Sequence, residues 1–330
     1  MKRRDVLALG LAALSARTLG ARPALAQAAY PDRPIRLVIP FTTGGVNDAV
    51  GRPWADKMKS LLGTVVVENI GGAGSGLGAA AVARARPDGY TLLLGGAGSH
   101  IIVPIATGHA GYDPIKDFEP ITLLAGTSLT IAVHPKLPVK TLSELIAYGR
   151  ANPGKLSFGS SGYGAMTHLT GELFKSLSGL SDIVHVPYRG GGPLISDLVS
   201  GHIPMIAQSV TGNMIELHET GKVRMLCVTG PTRLGVLPDV PTAVEAGLAG
   251  MIAQNFLGVF APAKTPRPII EQIAQATRNA MTDKQFERAY TAAGFEVFLD
   301  STPEKTARYV ETELARWTPV IKAIGLKIEQ

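Results

Sequence analysis

Two stretches of the 330-residue chain place glycines and hydroxyls directly after an apolar run and directly before a helical pattern. The first is Phe41-Thr42-Thr43-Gly44-Gly45, after "RPIRLVIP"; the second is Gly159-Ser160-Ser161-Gly162-Tyr163-Gly164, within a run leading to "AMTHLTGELFKSL". Glycine leaves backbone N–H groups open to a ligand. A helix N-terminus adds partial positive charge, worth about 0.3–1 kcal/mol per anion at exposed sites. Threonine and serine hydroxyls add donors, so such loops can hold an anion without lysine or arginine. The same residue types also build plain tight turns, and the loops alone leave both uses open.

Other chemistries find less support. No G-x-x-x-x-G-K-[ST] occurs, and "GSGLGA" (74–79) begins five positions after Asn69, whereas a dinucleotide fingerprint needs its glycines directly after the strand. The seven histidines (100, 109, 134, 168, 185, 202 and 218) show no ligand spacing. His168 and Glu172 stand four apart on a helix, which is half of a metal motif, so no metal and no cofactor is expected. There is no G-x-S-x-G elbow. Ser160 or Ser161 with His168 could imitate a nucleophile and its base, but a packing histidine explains His168 as well.

The elements that must position these loops alternate along the chain. Apolar, β-branched runs at 35–41, 64–69, 90–96, 121–126, 129–135, 155–160, 182–188, 203–209 and 223–230 read as strands. Between them lie helical patterns, such as 141–154 with a Thr141/Glu144 capping box and a long amphipathic tail opened by Thr302 and Pro303. Strands apolar throughout and separated by helices argue for parallel sheets covered on both faces. Residues 128–250 hold their own alternation, so the reading is α/β with two lobes. One lobe is 27–127 plus 251–330, the other 128–250, with two crossings between them forming a hinge. Ligands of open α/β sheets bind where strands turn into helices, which puts the loops of facing lobes on a common cleft.

Lys2, Arg3 and Arg4 precede an apolar core at Val6–Ala16, and Ala24-Leu25-Ala26 offers small residues for cleavage before Gln27. This is a signal-peptide pattern, too short in its apolar part to span a bilayer. The Arg3–Arg4 pair suits twin-arginine and general secretion alike. Cleavage after Ala26 removes five cations and one anion, so the formal +6 falls to about +2, with nothing basic enough left to suggest nucleic acid. Cys227 is the only cysteine; within "VRMLCVTG" it reads as a small buried hydrophobe.

The chain from about residue 30 onward resembles the Bug family, the extracytoplasmic solute receptors of tripartite tricarboxylate transporters. The resemblance is carried in order by "YPDRPIRLVIPFTTGGVNDAVGR", "VVVENIGGAGSGLGAAAVARARPDGYTLLLG", "GYDPIKDFEPITLL", "HVPYRGGGP", "LPDVPTAVEAG" and "APAKTPRPII". It implies a two-lobed periplasmic binding protein of type II-like architecture that performs no catalysis. It would act as a monomer, hold a small carboxylate between the lobes and deliver it to membrane permease subunits. Carried onto this sequence, the ligand-binding positions are Phe41, Thr42, Thr43, Gly44, Gly45, Asn47 and Ser99 from one lobe. Ser160, Ser161, Gly162, Thr167 and Gln208 come from the other. Asp48 is expected to cap the helix rather than touch an anion, since two negative charges repel.

Two departures bear on the ligand. Val46-Asn47 stand where the family usually has Thr-Thr, and Ala207-Gln208 where it often has an acidic residue. Gln208 keeps an acceptor, gains an amide donor and carries no charge. Two other functions fit the loops: a binding protein reporting to a sensor kinase, and a secreted hydrolase using Ser160 or Ser161.

Overall fold

The computed structural model describes residues 30–328; the signal peptide and the Ala26–Gln27 bond lie outside them. The chain divides into compact units Met1–Asp32 and Arg33–Gln330, and every strand and helix below belongs to the second. The strands are β1 (Ile35–Ile39), β2 (Val65–Asn69), β3 (Thr91–Gly96), β4 (Phe118–Val133), β5 (Ser157–Ser160), β6 (Val184–Pro187), β7 (Met205–Ser209), β8 (Arg224–Val228), β9 (Gln254–Pro262) and β10 (Glu296–Val297). The helices are α1 (Val46–Leu61), α2 (Gly76–Ala83), α3 (Val103–Thr107), α4 (Leu142–Ala151), α5 (Met166–Ser178), α6 (Gly191–Ser200), α7 (Gly212–Glu219), α8 (Arg267–Met281), α9 (Lys284–Ala292) and α10 (Pro303–Ala323).

The strands run in the order β2-β1-β3-β9-β4-β7-β5-β6, with β8 and β10 also paired to β4. β1 is parallel to β2 and β3, and β5 is parallel to β6 and β7. The pairings of β4 and β9 are antiparallel. The sheets are therefore mixed, not parallel as the apolar runs suggest. The stretches 121–126 and 129–135 are not separate strands either: most of both belongs to the 16-residue β4. The early part of β4 pairs with β9 and β10, and Leu129–Val133 pairs with β7.

Period-two alternation explains why the far half of the sheet reads as apolar throughout. Ile131 and Val133 of β4, Met205 and Ala207 of β7, Phe158 of β5 and Cys227 of β8 pack into one core. Their neighbours Ala132, Ile206 and Val228 pack into another on the opposite face. Cys227 is fully buried, and burial pushes its thiol up to about 12, as suits a core residue. A third core gathers Leu93, Phe256 and Phe260 with Trp317 and Ile321 of α10, and also takes in Met166 and Leu169 of α5. Thr302 caps α10 by accepting from the Lys305 N–H at 3.2 Å. Thr141 caps α4 in the same way, while Glu144 reaches the Lys140 N–H at 2.6 Å.

Two helices matter for the site. α1 follows β1 and is pinned by Trp54, whose Nε1 donates to Thr277 Oγ1 of α8 at 3.1 Å, and by the Tyr290 hydroxyl, which donates to the Val50 carbonyl at 2.6 Å. α5 lies so close to β5 that a Cβ on Gly171 would sit 2.0 Å from the Phe158 ring. Both helices thus present their first turns at fixed positions.

Candidate functional site: a cavity at three helix N-termini

A cavity of about 610 Å³ opens between the two glycine-rich loops. Phe41, Thr42, Thr43, Gly44, Gly45 and Asn47 line it from the first loop, Ser161, Gly162 and Thr167 from the second, and Gln208 from β7. A larger concavity of about 740 Å³ lies at Thr141, Arg224 and Arg233, away from either loop. There Arg233 is paired with Glu245, Arg224 donates to the Val139 carbonyl, and Thr141 already caps its helix. Neither glycine-rich loop lines this concavity, so the smaller cavity is the better candidate.

In the first loop the chain leaves β1 and enters α1 at Gly45, which caps the helix with no side chain. The Asp48 carboxylate reaches back and accepts from the Gly44 N–H at 3.0 Å, with Gly44 at φ +93°. Arg52 Nε meets the same carboxylate at 2.7 Å, and Asn69 Nδ2 donates to both of its oxygens at 3.3 Å. Asp48 therefore bonds to the residue before the cap, stays outside the cavity lining and fixes the loop. It also occupies the Gly44 amide. Those of Gly45, Val46 and Asn47 find no acceptor among the described residues. The Phe41 ring lies across Gly98, where a Cβ would be 3.2 Å from its Cζ.

The second loop is braced from within. Ser161 N donates to Thr167 Oγ1 at 3.0 Å, the two hydroxyls are 2.8 Å apart, and Gly164 N donates to His168 Nδ1 at 3.2 Å. α5 begins after Ala165, again without a side-chain cap. The Met166 and Thr167 amides have no acceptor among the described residues. Behind the loop, His168 and His185 stack at 3.9 Å between ring centroids, flanked by Tyr163 and Phe158. Burial first, then the charges of His185 and Lys175, lower His168 to about 3. Burial and Lys175 lower His185 to about 4. His168 lies 3.9 Å from Glu172, but its neutral ring makes this contact no ion pair.

Two expected positions turn away from the cavity. Ser160 is fully buried; its hydroxyl lies 2.7 Å from His185 Nε2 and 3.1 Å from the Gly162 carbonyl. The histidine beside this serine is His185 and not His168, and the pair lies off the cavity lining. Ser99 is also buried, bonded to Gly96 and 3.0 Å from His100 Nδ1.

A third loop, which the sequence pattern offers only as part of "HVPYRGGGP", completes the site. Gly190 and Gly191 line the cavity, and α6 starts there with Gly190 at φ +111° and no side-chain cap. The Gly190 N–H donates to the Ser161 carbonyl at 3.1 Å, tying this loop to the second. A Cβ on Gly191 would fall 2.4 Å from Gln208 Nε2, so only glycine admits the glutamine here. Gln208 is 6% exposed. Its Oε1 accepts from the Ser209 N–H at 3.1 Å, and because an N–H can only donate, that contact fixes the amide orientation. The Nε2 group has no acceptor among the described residues.

Three uncapped helix N-termini thus meet one cavity. No Lys, Arg, Asp, Glu or His is among its lining residues. Such a site offers positive potential through backbone dipoles and suits an anion with hydrogen-bonding oxygens.

A model of the tripartite tricarboxylate transporter family receptor matches residues 50–326. Among solved structures, the periplasmic binding protein BugD is 34% identical, with 91% of this chain and 100% of that one covered and a TM-score of 0.78. A protein of R. palustris solved with adipate is 32% identical over 90% and 99%, with a TM-score of 0.80. MatC of Rhodopseudomonas palustris, with bound malate, is 32% identical over 88% and 100%, with a TM-score of 0.77. The fold is that of a two-lobed α/β periplasmic binding protein. The chain belongs to the tripartite tricarboxylate transporter receptor family, the Bug proteins among them.

Proposed function

We propose that this protein is an exported receptor that captures a small carboxylate in the cavity at α1, α5 and α6 and passes it to the permease subunits of a tripartite transporter. It binds its ligand without transforming it, acts as a monomer, and is released into the periplasm by cleavage after Ala26. Its lobes are 27–127 plus 251–330 and 128–250, closing on the ligand. The observation that carries this reading is the convergence of three uncapped helix N-termini on a cavity free of charged side chains. Each first turn holds amides that need acceptors, and a carboxylate supplies them. Two relatives, one solved with adipate and one with bound malate, point to the same ligand class.

Gln208 narrows that class. Its free Nε2 donor beside the first turn of α6 suits a second carboxylate or a carbonyl, and no lining carboxylate is present to hold an ammonium. The ligand is therefore a plain mono- or dicarboxylate, or an aromatic acid, in preference to a zwitterionic amino acid. A thermal-shift screen of organic acids that includes adipate and malate tests this. At about 100 times Kd a ligand adds about 2.7 kcal/mol to the folded state. No shift with any acid, or a shift with amino acids alone, rejects the reading.

A further inference from the structure

The cavity has an apolar wall that comes from an unexpected part of the chain. After α10 ends, the segment Leu326–Ile328 turns back, and the Ile328 N–H donates to the Ala106 carbonyl at the end of α3, at 3.2 Å. The Ile328 side chain then reaches the cavity lining. It fills a gap between two glycines: a Cβ on Gly164 would lie 2.9 Å from Ile328 Cδ1, and one on Gly74 would lie 3.7 Å from it. Gly164 precedes α5 and Gly74 precedes α2, so one side chain touches loops from both halves of the sheet. Both glycines have positive φ, +76° and +63°, so neither position readily accepts a side chain that could take over the filling.

We propose that Ile328 is a specificity-determining residue of the receptor, setting how much aliphatic chain the cavity accepts. The proposal rests on the carboxylate reading above. The anion donors are backbone amides of α1, α5 and α6, held in place by Asp48, Thr167 and the β-strands. None of those contacts involves Ile328. Shortening Ile328 therefore enlarges the apolar part of the cavity while leaving the donors in place. The ligand chemistry implied is an acid with a methylene chain or other apolar body, whose carboxylate faces the helix ends and whose carbon skeleton lies toward Ile328.

Two measurements test it. The first needs no ligand: urea unfolding of the wild type, Gly164→Ala, Ile328→Ala and the double variant. Gly164→Ala drives a methyl against Ile328, so its cost should shrink in the Ile328→Ala background, whereas the φ strain is the same in both. Additive costs would overturn the seating of Ile328 in this gap. The second is calorimetry with unbranched dicarboxylates of four to eight carbons on the wild type and Ile328→Ala. The variant should favour longer acids, changing the Kd ratio of the eight- to the six-carbon acid by about tenfold, the smaller effect of one methylene in an apolar pocket. A uniform loss across the series, or an unchanged ratio, would overturn the proposal and leave the receptor reading standing. Failure of the wild type to bind any of the acids would overturn the carboxylate reading, and this proposal with it.

Discussion

Replacing Gln208 by Glu changes one NH2 group to an oxygen with almost no change of shape. Because Gln208 Oε1 already accepts from Ser209 N–H, the variant keeps that contact and presents its second oxygen where Nε2 stood. A donor facing the cavity becomes an acceptor with a negative charge. Loss of one hydrogen bond to a charged ligand group is about 1.5–3 kcal/mol, which is roughly ten- to a hundredfold in Kd. Repulsion adds to it, since two unit charges about 4 Å apart near a protein surface interact by about 4 kcal/mol at an effective dielectric of 20. Part of that is lost to solvent in an open cavity, so the firm expectation is at least tenfold weaker binding of malate. Aspartate, which carries an ammonium in place of the malate hydroxyl, gains a partner and should bind as well as before or better. Calorimetry of both ligands on both proteins gives the malate-to-aspartate preference, which should fall by at least tenfold in Gln208→Glu. If the wild type prefers aspartate, or the variant leaves the preference unchanged, Gln208 does not read the ligand.

Gly191→Ala would place a Cβ 2.4 Å from Gln208 Nε2, so the glutamine must swing aside; binding of malate or adipate should weaken about tenfold or more on calorimetry, and unaltered Kd values would refute the arrangement. Asp48→Ala leaves Arg52 Nε and the Gly44 amide without their acceptor, although Arg52 Nη2 still donates to Asn69 Oδ1, and should cost about 1–3 kcal/mol, or a melting point lower by several degrees for a chain of this size; a melting point within one degree of the wild type would show that the carboxylate does not hold the loop. Gly44→Val forces a branched residue to φ +93° where nothing else crowds it, so binding should fall while the fold persists by circular dichroism. His168 and His185, lowered to about 3 and about 4, bind protons in the unfolded chain before the folded one. Stability should therefore be complete above the ordinary histidine range and fall as pH drops from about 6.5 toward 4, each site adding a slope of about 1.4 kcal/mol per pH unit. His168→Asn, which keeps an acceptor for the Gly164 N–H, should flatten the urea midpoint against pH, and an identical profile would refute the assignment.

Much of this was legible in residue types. The two glycine loops sit at strand-to-helix turns because apolar periodicity and glycine placement are local signals. The third loop, Gly190–Gly191, bears the same signature, strand then glycines then helix, but its partner Gln208 lies 17 residues on and only the tertiary fold brings them together. Ser160 carried a readable warning. It shares strand parity with Phe158, whose ring is in the core, so its hydroxyl had to point inward while Ser161 faced the cavity. Ser99 gave no such sign, because it falls in a short π-helix, Gly98–Ile102, where strand parity no longer applies. The Gly126-Thr127-Ser128 stretch looks like a break between strands. It stays extended because Phe256, Asn255 and Gln254 pair along it from β9, a long-range constraint that outweighs local preference. Ile328 was beyond reach of pattern reading, since nothing local connects a residue after the last helix to a cavity built from loops near 44 and 162.

The backbone origin of the donors has a consequence for how such a receptor changes. A side-chain cation can be lost in one codon change, and it can titrate. A main-chain amide can do neither. Every substitution at Val46 or Met166 other than proline leaves an N–H in the chain. The capacity to hold an anion is thus insulated from sequence drift, while Gln208 and the other side chains on the rim are free to vary and redirect the choice of acid. The same insulation bears on pH. No carboxylate, amine, guanidinium or imidazole lines the cavity, so none of those groups couples capture to proton uptake or release.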